Sequence, residues 1–166
     1  MIEFEIMRQK LEISVEGVLM QIERLKEDCS LLYRANSENE SWKYNVKRIN
    51  DERFLKIEVY NSTKWLTKLN ELVEETEMIT AELTNDKRIK DLRHMEEHED
   101  EYLEGKGHYK SRYIDKTTNL SASDTGILKN EYLIGGRLEL SYIEEKFNEI
   151  KKILEKNVFT IRIKNF

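Results

Sequence analysis

From Phe4 to Leu32, apolar residues recur every three or four positions: Phe4, Met7, Leu11, Val15, Val18, Ile22, Leu25, Cys29 and Leu32. That step is the period of one face of an α-helix. Nothing nearby interrupts it, because the 166 residues contain no proline. Proline removes an amide donor and clashes with the preceding turn. Its absence suits long helices and argues against a loop-rich sandwich or a Pro-rich linker. Gly17 is the one weak point of the stripe, read as a bend or a close packing point.

The polar stretch from Asn36 to Ser41 reads as a loop, and Trp42 to Ile49 carries no clear period. From about Asp51 a second stripe begins: Leu55, Val59, Trp65 or Leu66, Leu69, Leu72 or Val73, Ile79 and Leu83. Thr84-Asn85-Asp86 supplies a stop and a new N-cap, and a third helix is expected over 86–104 on Ile89, Leu92, Met95, Tyr102 and Leu103. Five of the six glycines then lie between Gly105 and Gly136, which marks turn and strand territory. Strands are expected at His108–Ile114 and Glu131–Leu140, with Gly135-Gly136 as a bulge or tight turn. Ser141 and Glu144 fit a capping box ahead of a last helix on Ile143, Phe147, Ile150 and Leu154. The alternation Phe159, Ile161, Ile163 suggests a terminal strand. The expected fold is mostly α: a four- to five-helix bundle, one domain over 1–166. Residues 105–140 form a small β-hairpin and loop insertion between the third and the C-terminal helix.

Charged residues make up 37% of the chain, with a formal net charge of -5. A protein that grips nucleic acid over its whole surface is usually basic, so any contact with RNA is expected at a local site. With Cys29 the sole cysteine, an intrachain disulfide and a cysteine-based zinc site are excluded. The N-terminus lacks the layout of a signal peptide, and no apolar run approaches the ~18 residues of a membrane span. The expectation is a cytoplasmic protein with no membrane contact.

One segment departs from ordinary helical core: Asp91-Leu92-Arg93-His94-Met95-Glu96-Glu97-His98-Glu99-Asp100-Glu101-Tyr102-Leu103. Arginine is permanently cationic and holds phosphate in a fork, and histidine moves a proton near neutral pH. Together they supply what metal-free RNA cleavage needs: stabilised charge on the phosphorus and acid–base help at the attacking and leaving oxygens. At ~100° per residue, Arg93 and His98 stand roughly 140° apart on a helix. They flank the apolar stripe and do not meet. A phosphate can touch both only where this helix faces another, such as its own copy across a two-fold axis.

The run Arg93-His94-Met95-Glu96-Glu97-His98 resembles the signature of the HEPN superfamily: Arg, a polar residue (Asn, Asp or His), three or four residues of any type, then His. The stretch from His98 to Leu103 also looks like what often follows that histidine in bacterial members. His94 in the second position is less typical than Asn or Asp. The resemblance implies a helical bundle and a homodimer with a composite ribonuclease site. It implies Arg93 and His98 as catalytic residues with His94 in support, no metal or other cofactor, and RNA as substrate. It also implies a role as a toxin or phage-defence effector, with a nucleotidyltransferase-like antitoxin or a defence partner.

The residues alone leave other readings open. Arg93 with Glu97 and His98 with Glu101 are spaced as ordinary solvated ion pairs. His94, His98 and Glu101 have a spacing that can hold a divalent ion. Trp42 and Trp65 read as core or loop anchors, and as base-stacking platforms only secondarily. The long stripes of the first two helices also suit a non-catalytic helical dimerisation or adaptor protein. His108 has no evident partner in the sequence.

Overall fold

The computed structural model describes residues 2–123, 126–128, 131–156 and 158–162. The first stripe forms α1 (Ile2–Arg34). Three residues later Ser37, its Oγ accepting from the Glu40 amide, caps α2 (Glu38–Asn70). The expected loop at 36–41 and the untyped segment after it are therefore mostly helix. Helices α1 and α2 form an antiparallel hairpin, as their cross-links show: Ser14 to Glu58, Arg24 to Asp51, and Lys47 to Asp28. The residue numbers in each pair sum to nearly the same value, which only antiparallel axes allow. Gly17 lies within unbroken helix, and the nearest atom to a side chain there is Glu58 Oε2 at 3.9 Å. It marks neither a break nor a tight contact.

The expected second helix is divided. After α2, residues 71–76 turn before α3 (Glu77–Asn85). The C-terminal segment takes the freed backbone groups. The Arg162 amide donates to the Leu72 carbonyl (2.8 Å), the Glu74 amide donates to the Thr160 carbonyl (3.1 Å), and Val73 pairs with Ile161. The terminal strand is thus a single bridge, and Ile163 lies outside the described residues.

Asp86 caps α4 (Lys87–Glu97) by accepting from the Arg88 amide. The expected helix over 86–104 breaks at His98 and resumes as α5 (Glu99–Leu103). The expected strand at His108–Ile114 is instead the short helix α6 (Lys110–Tyr113). Its Tyr113 is buried and stacked on Tyr102, with ring centroids 5.0 Å apart. The expected hairpin is a three-stranded antiparallel sheet of β1 (Gly126–Leu128), β2 (Glu131–Ile134) and β3 (Leu138–Glu139). Gly135 and Gly136 turn between β2 and β3 with positive φ. A Cβ on Gly135 would lie 2.8 Å from the Ala122 carbonyl oxygen and 2.2 Å from Leu92, so the turn presses directly on α4.

The last helix, α7, spans Leu140–Leu154. The expected capping box is absent. Ser141 gives its amide and hydroxyl to the Glu131 carboxylate of β2 (3.1 and 2.8 Å), and Glu144 pairs with Lys26 of α1 at 2.6 Å. The cap comes from a strand because the first residue of β2, Glu131, lies beside the helix start. The core draws Leu11, Val18, Ile22 and Leu25 from α1, Leu55, Leu66 and Leu69 from α2, and Ile143, Phe147 and Ile150 from α7. Trp65 packs against this core, whereas Trp42 is 69% exposed and anchors nothing. No helix among the described residues is long and apolar enough to cross a membrane.

A charged group sits inside the packing. Lys56 of α2, its side chain 3% exposed, lies 3.2 Å from Glu52 and 2.7 Å from Glu96 of α4, and donates to the Ala122 carbonyl at 3.1 Å. Glu52 also accepts from the Gly135 amide and the Tyr132 hydroxyl, both at 3.1 Å. Removing one partner of a buried ion pair strands the other charge at a cost of about 3–5 kcal/mol. Arg48 and Arg53 remain beside Glu52 and Glu96, at 3.6 and 2.7 Å, so Lys56→Met is expected to lower stability in urea by about 1–3 kcal/mol. Adding Glu52→Gln and Glu96→Gln is expected to restore part of the loss. Equal stability of Lys56→Met and the parent would contradict this.

Candidate functional site

The predicted site residues lie on the last turn of α4 and at its break. Met95 and Leu92 hold α4 to the core, each 1% exposed. That orientation turns Arg93 to one side. Its guanidinium lies over the Tyr60 ring of α2, 4.7 Å from the centroid, and 2.5 Å from Glu97. His98 stands where α4 ends, with φ -123 and ψ 32. Its Nδ1 is 3.2 Å from Glu101, and its side chain is 43% exposed. Within one chain Arg93 and His98 thus face different neighbours, as helical geometry requires.

His94 does not pair with Arg93. It enters an aromatic cluster on the His98 side. The His94 and His98 rings are 4.7 Å apart, and His94 lies 5.0 Å from Tyr109 and 6.2 Å from His108. All three histidines of the chain therefore converge at one end of α4. The turn after α5 makes this possible. Gly105 takes positive φ, and Gly107 passes so close to Tyr102 that a Cβ there would overlap the ring at 2.2 Å. Sequence reasoning left His108 unassigned. The available signal was the pair of glycines just before it, which fold the chain back on the helix.

A short hydrogen-bond chain orders the cluster. The Tyr109 amide donates to the Tyr102 hydroxyl at 3.1 Å. That hydroxyl, buried with Tyr102 at 5% exposure, lies 3.1 Å from His94 Nδ1. With one lone pair engaged by the amide, its proton is free to donate to Nδ1 of a neutral imidazole, leaving the proton of His94 on Nε2. The electrostatics agree: burial, then the neighbouring His98 and His108, hold the His94 pKa below its ordinary value. A cluster with one imidazole kept neutral beside a second, solvent-facing one is equipped to accept and deliver a proton. Among the described residues, no group of three His, Cys, Asp or Glu side chains is arranged to hold a metal ion, so His94, His98 and Glu101 do not form such a set. Cys29 is free, and burial pushes its thiol up from the ordinary value.

Comparison of the chain with protein-family models, with curated proteins and with solved structures finds no match.

The depressed His94 pKa has a definite sign. The folded state refuses a proton that the unfolded chain takes up near the ordinary value of 6.5. Stability is then lost as pH falls through 6.5, down to the folded-state pKa. Imidazole NMR is expected to show His94 titrating below 6.5. His108→Ala, which removes one of the neighbours that hold the His94 pKa down, is expected to move that titration upward. A His94 midpoint at or above 6.5 in the parent would contradict the assignment.

Proposed function

We propose that this chain is a metal-independent endoribonuclease of the HEPN type, active as a homodimer and serving as a toxin or phage-defence effector. The observation that carries the reading is the arrangement at the end of α4. Arg93 and His98 leave the buried stripe on opposite sides, both reach solvent, and His98 heads a cluster that gathers His94 and His108. A second copy related by a two-fold axis then supplies the Arg93 that a single chain turns away from its own His98.

In this mechanism the substrate's own 2′-hydroxyl attacks the adjacent phosphorus. His98 acts in proton transfer at the attacking or leaving oxygen. Arg93 moves from Glu97 to the non-bridging oxygens, where negative charge develops. The bond to the 5′-oxygen breaks, and that oxygen takes a proton. The products are a 2′,3′-cyclic phosphate and a 5′-hydroxyl. His94, whose burial and neighbouring histidines disfavour its charged form, positions the His98 ring. A nucleotidyltransferase-like antitoxin or a defence partner restrains the activity in the cell.

One observation favours the second reading, a helical adaptor without chemistry. Ile2, Ile6, Ile13 and Met20 form an exposed apolar stripe on α1, opposite its buried one. Such a stripe is the usual seat of a helical partner.

Cleavage is expected to persist in millimolar EDTA and to leave a 2′,3′-cyclic phosphate. RNA carrying deoxyribose at the cut position is expected to resist. His98→Ala and Arg93→Ala are each expected to lower the rate by about 100-fold or more, with unchanged circular dichroism. Activity lost in EDTA and restored by a divalent ion, with 3′-hydroxyl ends, would overturn the mechanism. Absence of any RNA cleavage by the pure dimer would favour the adaptor.

A further inference from the structure

Along the same face of α4, toward its N-terminus, the surface opens into a cleft of about 630 Å³. Its walls are the first turns of α4, the loop at 114–118 and the glycine turn between β2 and β3. Pockets of this size commonly hold small ligands or parts of larger ones. The chain as a whole is acidic, yet five cationic side chains line this cleft against the carboxylates of Asp91, Asp115 and Glu139.

The pairing inside the cleft decides which charges remain. Arg112 is bound to Asp91 at 2.6 Å, and Arg88 to Asp86 and Glu139 at 2.8 and 2.7 Å. Those charges are locally met. Arg137 is different. Its guanidinium donates to the carbonyls of Gly135, Arg112 and Tyr113 at 3.0, 2.6 and 2.9 Å. Three neutral carbonyls orient the fork and cancel none of its charge. Burial pushes its pKa down from the ordinary value, and the nearby but unbonded carboxylates of Asp115 and Asp91 oppose that shift. Lys87 and Lys116, both exposed, make no ion pair among the described residues. Asp115 spends its carboxylate on the amides of Thr117 and Thr118. The cleft therefore presents three cations without a bonded carboxylate.

The cleft and the histidine cluster lie along the same helix, with the Arg112–Asp91 ion pair between them. Lys87, Asp91, His94 and His98 recur at steps of four, three and four, which places them on one face of α4. Between cleft and cluster, the Arg112 guanidinium lies over the Tyr109 ring, 4.3 Å from its centroid, and the other side of that network touches His94. From Lys87 to His94 the helix advances only about 10 Å.

We infer that this cleft holds the phosphodiester backbone of single-stranded RNA beside the cut site, through Lys87, Lys116 and Arg137. The inference rests on the ribonuclease reading, since it makes the cleft the substrate-binding extension of the His98 site. An anionic backbone is the ligand that three cations without a bonded carboxylate, along the same helix as the histidine cluster, accept best. Arg137 is the rigid member, and the two lysines are the adaptable ones.

The test separates binding from cleavage. The full chain carrying His98→Ala is titrated with a fluorescein-labelled single-stranded RNA at several salt concentrations, by anisotropy. Adding Lys87→Glu and Lys116→Glu is expected to weaken binding at least about tenfold and to flatten the salt slope by roughly 1.4, the value for two lost phosphate contacts. Reversing the same charge elsewhere, at Lys10→Glu and Lys43→Glu on the exposed flanks of α1 and α2, is expected to leave affinity within about twofold. Equal weakening by both pairs would overturn the cleft as a site and leave only bulk attraction. No weakening by the cleft pair would overturn it outright. A third arm titrates the same protein with adenosine monophosphate alone. Saturation of the cleft by the mononucleotide, with no added affinity for the oligonucleotide, would replace RNA with a free nucleotide as the ligand. Cleft-dependent RNA binding by a protein whose His98 form never cuts RNA would sustain the cleft and remove the nuclease. The two readings therefore fail separately.

Discussion

Lys56, buried between Glu52 and Glu96, joins the three parts on which the candidate site depends. It fixes α4 against α2 through Glu96, and through its bond to Ala122 it anchors the segment after α6. Glu52 passes the connection on to the sheet by accepting from Gly135 and Tyr132. Glu52 pairs with Lys56 and Arg48 within α2, and every member also has a partner in a different element. Buried charges away from water are tolerable only when paired, and here Arg48 and Arg53 complete the pairing of Glu52 and Glu96. The network therefore specifies one docking of α4. That docking aims Arg93 toward Tyr60 and sends the other side of the helix toward the histidines and the basic cleft.

The candidate site follows from this placement. With Leu92 and Met95 facing the core, Arg93 and His98 are forced apart. The break at His98 then lets α5 carry the Tyr102 hydroxyl back to His94. Tyr102 is central to the local order. It stacks on Tyr113, bonds His94, and receives the Tyr109 amide. Phosphodiester chemistry needs a movable proton and a fixed positive charge. The cluster gathers three imidazoles within one chain, and the cleft along the same helix gathers Lys87, Lys116 and Arg137.

Much of the fold was legible as period. The stripes from Leu11 to Leu25, from Leu55 to Leu69 and from Ile143 to Leu154 are buried as their spacing predicts. The Gly135-Gly136 turn was legible because only glycine sits easily at positive φ in succession. Less visible were the interruptions. Residues 71–76 retain helix-like spacing at Leu72 and Val73, but the C-terminal strand competes for their backbone groups from nearly ninety positions away. The glycine-rich surroundings of His108–Ile114 suggested a strand. Tyr113 instead turns inward to stack on Tyr102, and one turn of helix results. Ser141 and Glu144 carried the letters of a capping box, yet Glu131 reached the amide first.

The division has a physical basis. Period, chain stiffness without proline, and glycine turns act between residues a few positions apart, so the sequence by itself determined the three buried helical stripes and the sheet turn, though not where the helices break. It also determined that Arg93 and His98 flank a stripe instead of meeting, since that follows from 100° per residue alone. Only the tertiary structure decided what lies across from each of them. The meeting of His94 with His108, the burial of Lys56 between two carboxylates and the neutral carbonyl cradle of Arg137 all join groups separated along the chain. Such contacts depend on how the helices dock, and that is set by the packing and charge balance of the whole core, which no local pattern encodes.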